Sequence, residues 1–406
     1  MITGAADDDP SGISTYSVAG ASTGYSLLWL TLISTPMMSV IQGMCARISL
    51  VTGEGLAAVL RKRLPAPAVY ALAALVIGAN TFNLGADIGG MAAAAHLVVP
   101  IRAEVLDLVF GIALLTAQTW LPYPAIARVL KWLTLSLFAY VITAFVVRPP
   151  WGQVLLHFAI PRLRFSAAWF STMVGVLGTT ITPYLFFWQS SEMIEEEKED
   201  GMTSIASRRG TDAASLAAMH GDVNTGMTYS NLVAFFIIVT TASTLYATGH
   251  RDIATAQDAA RALRPLAGNF AELLFALGMV GTGALAVPVL ATSSAYVAAE
   301  TLRFREGLSE PVRRAPLFYA VIAAGMLVGI AMNLLHVDAI KALFWSAILN
   351  GIAAVPLLGV IVWLASQRAI MKEWTSSTLA RAWGWATFVL MGGATAGMFY
   401  FIARGQ

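Results

Sequence analysis

The stretch Asp7-Asp8-Asp9-Pro10-Ser11-Gly12 opens a run, residues 13–50, that is otherwise almost wholly apolar. A charged side chain inside a bilayer is costly and usually marks an ion or substrate path. Proline lacks an N–H, and beside glycine it leaves backbone carbonyls that need another partner. Because a cation would satisfy both the carboxylates and the carbonyls, the stretch predicts an interrupted helix at an ion-binding site.

A second interruption, Gly178-Thr179-Thr180-Ile181-Thr182-Pro183, lies in an apolar run of the second half. Two interrupted helices in corresponding positions indicate the binding site of a transporter. Each motif also has a simpler interpretation. The first can be a polar tail that ends in a helix N-cap at Asp9. The second can be a proline kink whose threonines bond back to the helix.

The composition is that of a polytopic membrane protein. Of the 406 residues, 57% are hydrophobic and 12% are charged, whereas soluble domains carry about 25% charged residues. The net charge of +2 gives no reason to expect a nucleic-acid partner. The single cysteine excludes an internal disulfide and a cysteine metal cluster. The chain is therefore predicted to be one transmembrane domain, residues 1–406, in a lipid bilayer.

The apolar runs predict eleven membrane spans, because a span needs about 20 apolar residues. A first repeat (1–147) and a second repeat (168–366) each open with an interrupted helix, and an odd number of spans per half makes the second half inverted. The last span is extra. Only six residues precede the acidic cluster, so a truncated start is also expected. The spans are 2–20, 25–50, 67–98, 104–121, 125–147, 168–190, 223–247, 268–299, 316–335, 339–366 and 380–403.

The distribution of basic residues predicts the orientation. With the N-terminus in the cytoplasm, sixteen of the 25 lysines and arginines fall in inner segments and nine in outer segments. Cytoplasmic segments carry the excess of basic residues in membrane proteins. A cytoplasmic N-terminus is therefore predicted, and eleven spans place the C-terminus outside.

Two blocks of the chain resemble the NRAMP family of metal-ion transporters. Residues 9–29, DPSGISTYSVAGASTGYSLLW, are similar to the first helix and turn of that family, and the likeness continues through 42–47 and 52–53. Residues 178–191, GTTITPYLFFWQSS, are similar to its sixth helix without a gap. The resemblance implies an all-α, LeuT-type fold with helices one and six broken. It also implies a transporter rather than an enzyme, with no cofactor, no obligatory protein partner, and a place in the bacterial plasma membrane.

The resemblance also implies the residues around the ion. The aspartate ligand of the family falls on Asp9, and its asparagine ligand falls on Gly12. The alanine that lends a carbonyl falls on Thr179, and the methionine whose sulfur contacts the ion falls on Thr182. A helix-six histidine linked to proton movement falls on Tyr184. Supporting contacts are predicted for Asp8, Ser11, Asn83, Asp87, Tyr184 and Asn350.

The departures from the family pattern predict the transported ion. A thioether is a soft ligand that favours transition metals over Mg²⁺, and Thr182 removes it. Gly12 enlarges the site, and Mg²⁺ keeps several of its waters when it binds. We therefore expect Mg²⁺, with Mn²⁺ also carried, as in the NRAMP-related magnesium transporter branch. A proton-coupled Mn²⁺/Fe²⁺ transporter is the alternative, and a trivalent ion stays open.

The third span carries a polar face that bears on proton coupling. Asn80, Asn83 and Asp87 are spaced by three and four residues, which places them on one side of a helix. The family uses acidic residues of helix three to carry protons, and here Asp87 keeps one such position without a partner. Transport is therefore expected to be weakly or not coupled to protons. Hydrogen bonding between helices explains this face equally well, and it is the simpler interpretation of Asn350 too.

Three other classes of function compete with metal transport. An amino-acid permease of the same fold would bind a carboxylate in the gap of helix one, where the acidic cluster repels it. An intramembrane aspartyl protease would need a second catalytic aspartate in a later span. A metal sensor would need a signalling domain, and no apolar-poor segment of domain size is present.

Overall fold

The structure, a computed structural model, describes residues 7–120, 133–308, 310–335 and 338–405. These residues form a helical bundle with no strand among them. Short helical turns, such as Leu133–Leu137 ahead of α6 and Ile205–Arg208, connect the longer helices. The longer helices are α1 Pro10–Thr23, α2 Trp29–Thr52, α3 Leu56–Arg63, α4 Ala66–His96, α5 Ala103–Trp120, α6 Phe138–Val147, α7 Trp151–Ala159, α8 Ala167–Thr180, α9 Pro183–Glu199, α10 Ala213–Thr241, α11 Ala271–Leu302, α12 Pro316–Asn333, α13 Ala339–Ser366 and α14 Thr378–Arg404.

The predicted spans all have helical counterparts in the described part of the chain. Eight helices or helix pairs there are long and apolar enough to cross a membrane, or nine if α2 and α3, bent by 76°, count as one. Within the described residues, the first span consists of residue 7 and the 14-residue helix α1, which ends at Thr23. Residues 2–6 of that span and 125–132 of the fifth span lie outside the described residues. The sixth span runs on to Glu199, since glutamate and lysine are good helix formers beyond the apolar segment.

Both predicted interruptions are present. Residue 7 is helical, residues 8 and 9 are not, and α1 begins at Pro10, where a missing N–H costs nothing. Helix α8 ends at Thr180, and Ile181 and Thr182 leave the helical conformation before Pro183 starts α9. Among the largest fully buried side chains are Ile13 and Tyr16 of α1 and Tyr184 and Phe186 of α9. The two interrupted helices therefore lie in the interior of the bundle.

Glycines let other helices approach the second interruption closely. A Cβ on Gly178, in the last turn of α8, would overlap the carbonyl oxygen of Ala347 and the backbone nitrogen of Gly351, both on α13. A Cβ on Gly351 would in turn lie 2.7 Å from the carbonyl oxygen of Val174. Helix α13 is therefore held against the end of α8 by backbone contacts that admit no side chain.

Replacing Gly178 with alanine is expected to destabilise the protein by about 1–3 kcal/mol, the usual cost of overpacking, because backbone atoms cannot move aside as a side chain can. Thermal unfolding of the purified protein in detergent measures this. Gly393→Ala in α14 is the matched control, since no other atom lies within 4 Å of its new methyl group. Equal unfolding temperatures for the two variants would contradict the close packing described here.

Four of the predicted inner connections meet at one end of the bundle, which we call the α3 face, and the one between the fourth and fifth spans lies outside the described residues. A cavity of about 310 Å³ opens there, and its four basic residues come from three different connections: Arg61, Lys198 with Arg208, and Arg303. A neighbouring groove is lined by Lys62, Arg63, Arg209 and Lys372. This grouping agrees with the alternation of spans predicted from the sequence.

Candidate metal-binding site

Asp9 is placed at the break ahead of α1 by three hydrogen bonds. Its Oδ1 accepts from the backbone N of Gly12 and from Ser11 Oγ, both at 2.7 Å, and its Oδ2 accepts from Asn83 Nδ2 at 3.0 Å. Asp9 is thus the N-cap of α1, so the simpler interpretation of the motif is correct for the local backbone. An N-cap at a helix end in water would be exposed, however, whereas Asp9 is only 1% exposed.

Three more carboxylates are buried near the break ahead of α1. Asp7, Asp8 and Asp87 are each at most 1% exposed. Ser230 Oγ lies 2.6 Å from Asp7 Oδ2 and 3.1 Å from Asp8 Oδ1, and the backbone N of Ser11 donates to Asp87 Oδ1 at 3.2 Å. Within the described ranges, no ion pair involves any of the four. Buried carboxylates without a cation are costly, so the arrangement is suited to one.

The end of α8 supplies hydroxyl groups opposite Asp9. A Cβ on Gly12 would lie 3.2 Å from Thr179 Oγ1 and 3.4 Å from Asp9 Oδ1, so the glycine leaves a space between these two groups. Thr180 bonds back to the carbonyl of Val176, as a proline kink predicts. Thr182 Oγ1 is buried and has no hydrogen-bond partner among the described residues. The kink interpretation therefore explains Thr180 and leaves Thr179 and Thr182 available to a ligand.

The polar residues of α4, the helix of the third predicted span, contact two different parts of the protein. Asn83 and Asp87 contact the first interruption, through Asp9 and through the backbone of Ser11. Asn80 Nδ2 instead donates to Ser294 Oγ of α11 at 3.1 Å. Asn80 therefore joins two helices, as the simpler interpretation predicts, whereas Asn83 and Asp87 lie against the first interruption.

Tyr184 and Asn350 complete the predicted set. Tyr184 is buried in an apolar cluster with Ile88 and Met91 of α4, and its carbonyl accepts from Ser293 Oγ at 2.8 Å. Asn350 precedes Gly351, which packs on α8, and is 1% exposed. Neither amide atom of Asn350 has a partner within the described ranges. The hydrogen bond that an interhelical role requires is therefore missing there, and the amide is left for a ligand.

Two contacts of the site were not predicted from the sequence. Tyr16 follows Gly12 by one helical turn, and its ring lies 3.4 Å from the Cβ position of that glycine. The spacing of four residues was the signal that could have indicated it. Ser230 is on α10, 223 residues from Asp7, and no local pattern connects the two.

The donor set consists of oxygens. Carboxylates, hydroxyls and amide oxygens are hard ligands of the kind that Mg²⁺, Ca²⁺ and Mn²⁺ accept. Among the described residues, no three His, Cys, Asp or Glu side chains are arranged to hold a metal by themselves. A cation at Asp9 would therefore also need hydroxyls, backbone carbonyls or its own waters.

Interrupted helices around a buried carboxylate in a polytopic bundle define a membrane transporter. The chain belongs to the Nramp family: residues 1–401 match the family model described as natural resistance-associated macrophage protein-like. It is 31% identical over 311 residues to a divalent metal cation transporter MntH of Erwinia tasmaniensis, covering 71% of this chain and 68% of that protein. It is 26% identical over 398 residues to an MntH of Aeromonas hydrophila, covering 93% and 88%.

Solved structures show the same fold. The manganese transporter of Eremococcus coleocola, in complex with an aromatic bis-isothiourea compound, has a TM-score of 0.72 at 17% identity and covers 99% of this chain and 85% of that one. MhsT in complex with L-phenylalanine has a TM-score of 0.62 at 10% identity, covering 98% and 97%. These likenesses confirm the LeuT-type fold, and the family confirms a transporter rather than an enzyme.

Proposed function

We propose that this protein carries divalent metal ions across the membrane by alternating access, with the ion between the two interrupted helices. Asp9, Gly12, Thr179 and Thr182 would surround it. The observation that carries this proposal is the group of four buried carboxylates for which the described residues supply no ion pair. The names of the MntH relatives, divalent metal cation transporters, support the same class of substrate.

Within this class we propose Mg²⁺ as the main ion, with Mn²⁺ also carried. Thr182 offers a hydroxyl where a soft ligand would select a transition metal. The space at Gly12 suits an ion that keeps part of its water, as Mg²⁺ does. Mn²⁺ as the main substrate is the second candidate, because the Eremococcus structure is named a manganese transporter.

We further propose that flux is weakly or not coupled to protons. Tyr184 carries a phenol in place of an imidazole, the side chain that exchanges protons near neutral pH. On the polar face of α4, Asp87 is acidic, whereas Asn80 and Asn83 cannot carry a charge. We also propose that the basic α3 face lies on the cytoplasmic side of a bacterial plasma membrane, because cytoplasmic segments carry the excess of basic residues.

Flux into liposomes that hold the purified protein tests all three proposals. Internal dyes for Mg²⁺, Mn²⁺ and pH are read in parallel, with protein-free liposomes as the control. We expect influx of both metals, with Mg²⁺ carried at millimolar concentration, and no acidification. Mn²⁺ influx that Mg²⁺ does not compete with would contradict the magnesium proposal. Acidification in step with the metal would contradict uncoupled transport, and uptake of labelled amino acids without metal flux would contradict metal transport itself.

A further inference from the structure

The first turn of α3 is capped by two other helices. Its own N-cap, Gly55, offers no side chain, although the first N–H groups of a helix need partners. The backbone N of Leu56 donates to Ser190 Oγ of α9 at 2.7 Å, and that of Ala58 donates to Glu300 Oε2 of α11 at 2.9 Å. The short helix therefore joins α9, which leaves the proposed metal site, to α11.

Glu300 lies directly against the backbone of α3. A Cβ on Gly55 would overlap Glu300 Oε1, so the carboxylate occupies the place of a side chain. Arg61 Nη1 also donates to the carbonyl oxygen of Glu300 at 2.6 Å. Glu300 is 6% exposed. The end of α11 is thus attached to α3 through both its side chain and its backbone.

The other cap of α3, Ser190, connects three helices to one another. Ser190 Oγ lies 2.5 Å from Ser49 Oγ of α2, so one hydroxyl connects α2, α3 and α9. In the first turn of α9, the carbonyl oxygen of Tyr184 accepts from Ser293 Oγ of α11. Glu300 therefore bonds the group α2–α3–α9 to α11 at the α3 face, about two helical turns from Ser293.

We infer that Glu300 is a positioning residue of the transport cycle, a latch that keeps the α3 face closed. This inference rests on the proposed function. Alternating access moves one group of helices against another around the site. For the site to open at the α3 face, α9 must separate from α11, and this movement takes Glu300 away from the N–H of Ala58.

The cavity beside the latch can receive the released carboxylate. It is lined by Arg61, Lys198 and Arg208, together with Glu306. Burial, and then the negative charge of Glu300, raises the pKa of Glu306 to about 9. The raised pKa means that Glu306 repels an entering carboxylate less than an ordinary glutamate would, and the basic residues attract it. Release of the latch is then reversible, as a transport cycle requires.

Thiol labelling tests the latch without any metal. A single thiol is introduced as Ala295→Cys after Cys45→Ala removes the native one. Ala295 is fully buried in a cluster with Tyr184, Leu185 and Trp188 of α9, so a reagent reaches it only when α9 and α11 separate. The protein in liposomes is exposed to a membrane-impermeant maleimide from each side. Glu300→Gln keeps the size but removes the charge. We expect about fivefold faster labelling from the α3 face, because a charge-assisted hydrogen bond is roughly twice as strong as a neutral one.

Two further variants, Gly55→Ala and Glu310→Gln, test whether faster labelling depends on the contact between Glu300 and α3. The new methyl group of Gly55→Ala would take the place of the Glu300 carboxylate, so we expect the same acceleration. Glu310 pairs with Arg305 at 2.6 Å, and none of its hydrogen bonds or ion pairs among the described residues reaches α3, so Glu310→Gln should label like the parent. A lower unfolding temperature for Glu300→Gln, with no change in labelling, would assign a merely structural role and overturn the inference. Since no metal is present, failure of the proposed substrate would leave the labelling result intact.

Discussion

Replacing Asp9 with asparagine is expected to lower metal flux by about a hundredfold, since losing one charge of a buried pair costs about 2–5 kcal/mol. Asparagine keeps the size of the side chain but removes the charge that would balance the ion. It also replaces one of the two acceptor oxygens that bond Gly12, Ser11 and Asn83. The dye assay in liposomes measures the flux, with protein incorporation matched between variants.

Stability separates a lost ion site from a damaged fold. Without metal, Asp9→Asn should unfold at the parent temperature or above it, because it removes a buried charge that has no ion pair among the described residues. Added metal should stabilise the parent but not the variant, since only a bound ligand shifts unfolding. Asp107→Asn is the matched control: Asp107 is also buried, and it contacts Asn333 on α12. Its flux should stay close to that of the parent, and parental flux in Asp9→Asn would contradict the site assignment.

Thr182→Met is expected to shift selectivity toward transition metals, by about tenfold in the ratio of Mn²⁺ to Mg²⁺ flux, because it exchanges a hard oxygen ligand for a soft sulfur. Thr182 Oγ1 makes no hydrogen bond within the described ranges, so no protein hydrogen bond is lost with it. Its backbone is extended between α8 and α9. The ratio is measured by competition between the two metals in the liposome assay.

Thr182→Val is the control for the loss of the hydroxyl. Valine has the shape of threonine without either oxygen or sulfur, so both fluxes should fall while their ratio stays the same. If the methionine and valine variants gave the same ratio, the residue at 182 would not contact the ion. The proposed reason for Mg²⁺ transport would then be wrong.

Local sequence patterns were sufficient for the spans and their interruptions. Proline at 10 and 183 removes an N–H and stands in the first turn of a new helix. Proline alone does not decide a break, because Pro36, Pro288 and Pro356 lie inside continuous helices. The polar residues beside Pro10 and Pro183 complete the signal. Runs of about 20 apolar residues similarly require a span in a bilayer, independently of neighbouring helices. The sequence also indicates Asp9 and Thr182 as candidate ligands of the ion, because each is adjacent to such a break. The resemblance of two short blocks then supplied the fold class, and the fold of solved structures confirmed it.

Contacts between distant residues were decided by the tertiary structure alone. Ser230 meets Asp7, and Glu300 caps α3, across more than 200 residues in each case. The sequence left Asn350 and the face of α4 with two interpretations, since it shows that a residue is polar but not which partner it reaches. Whether a buried polar group is satisfied or left for an ion depends on atoms from other helices. The sequence by itself therefore determined where the helices break, and only the packing of those helices decided which oxygens surround the break.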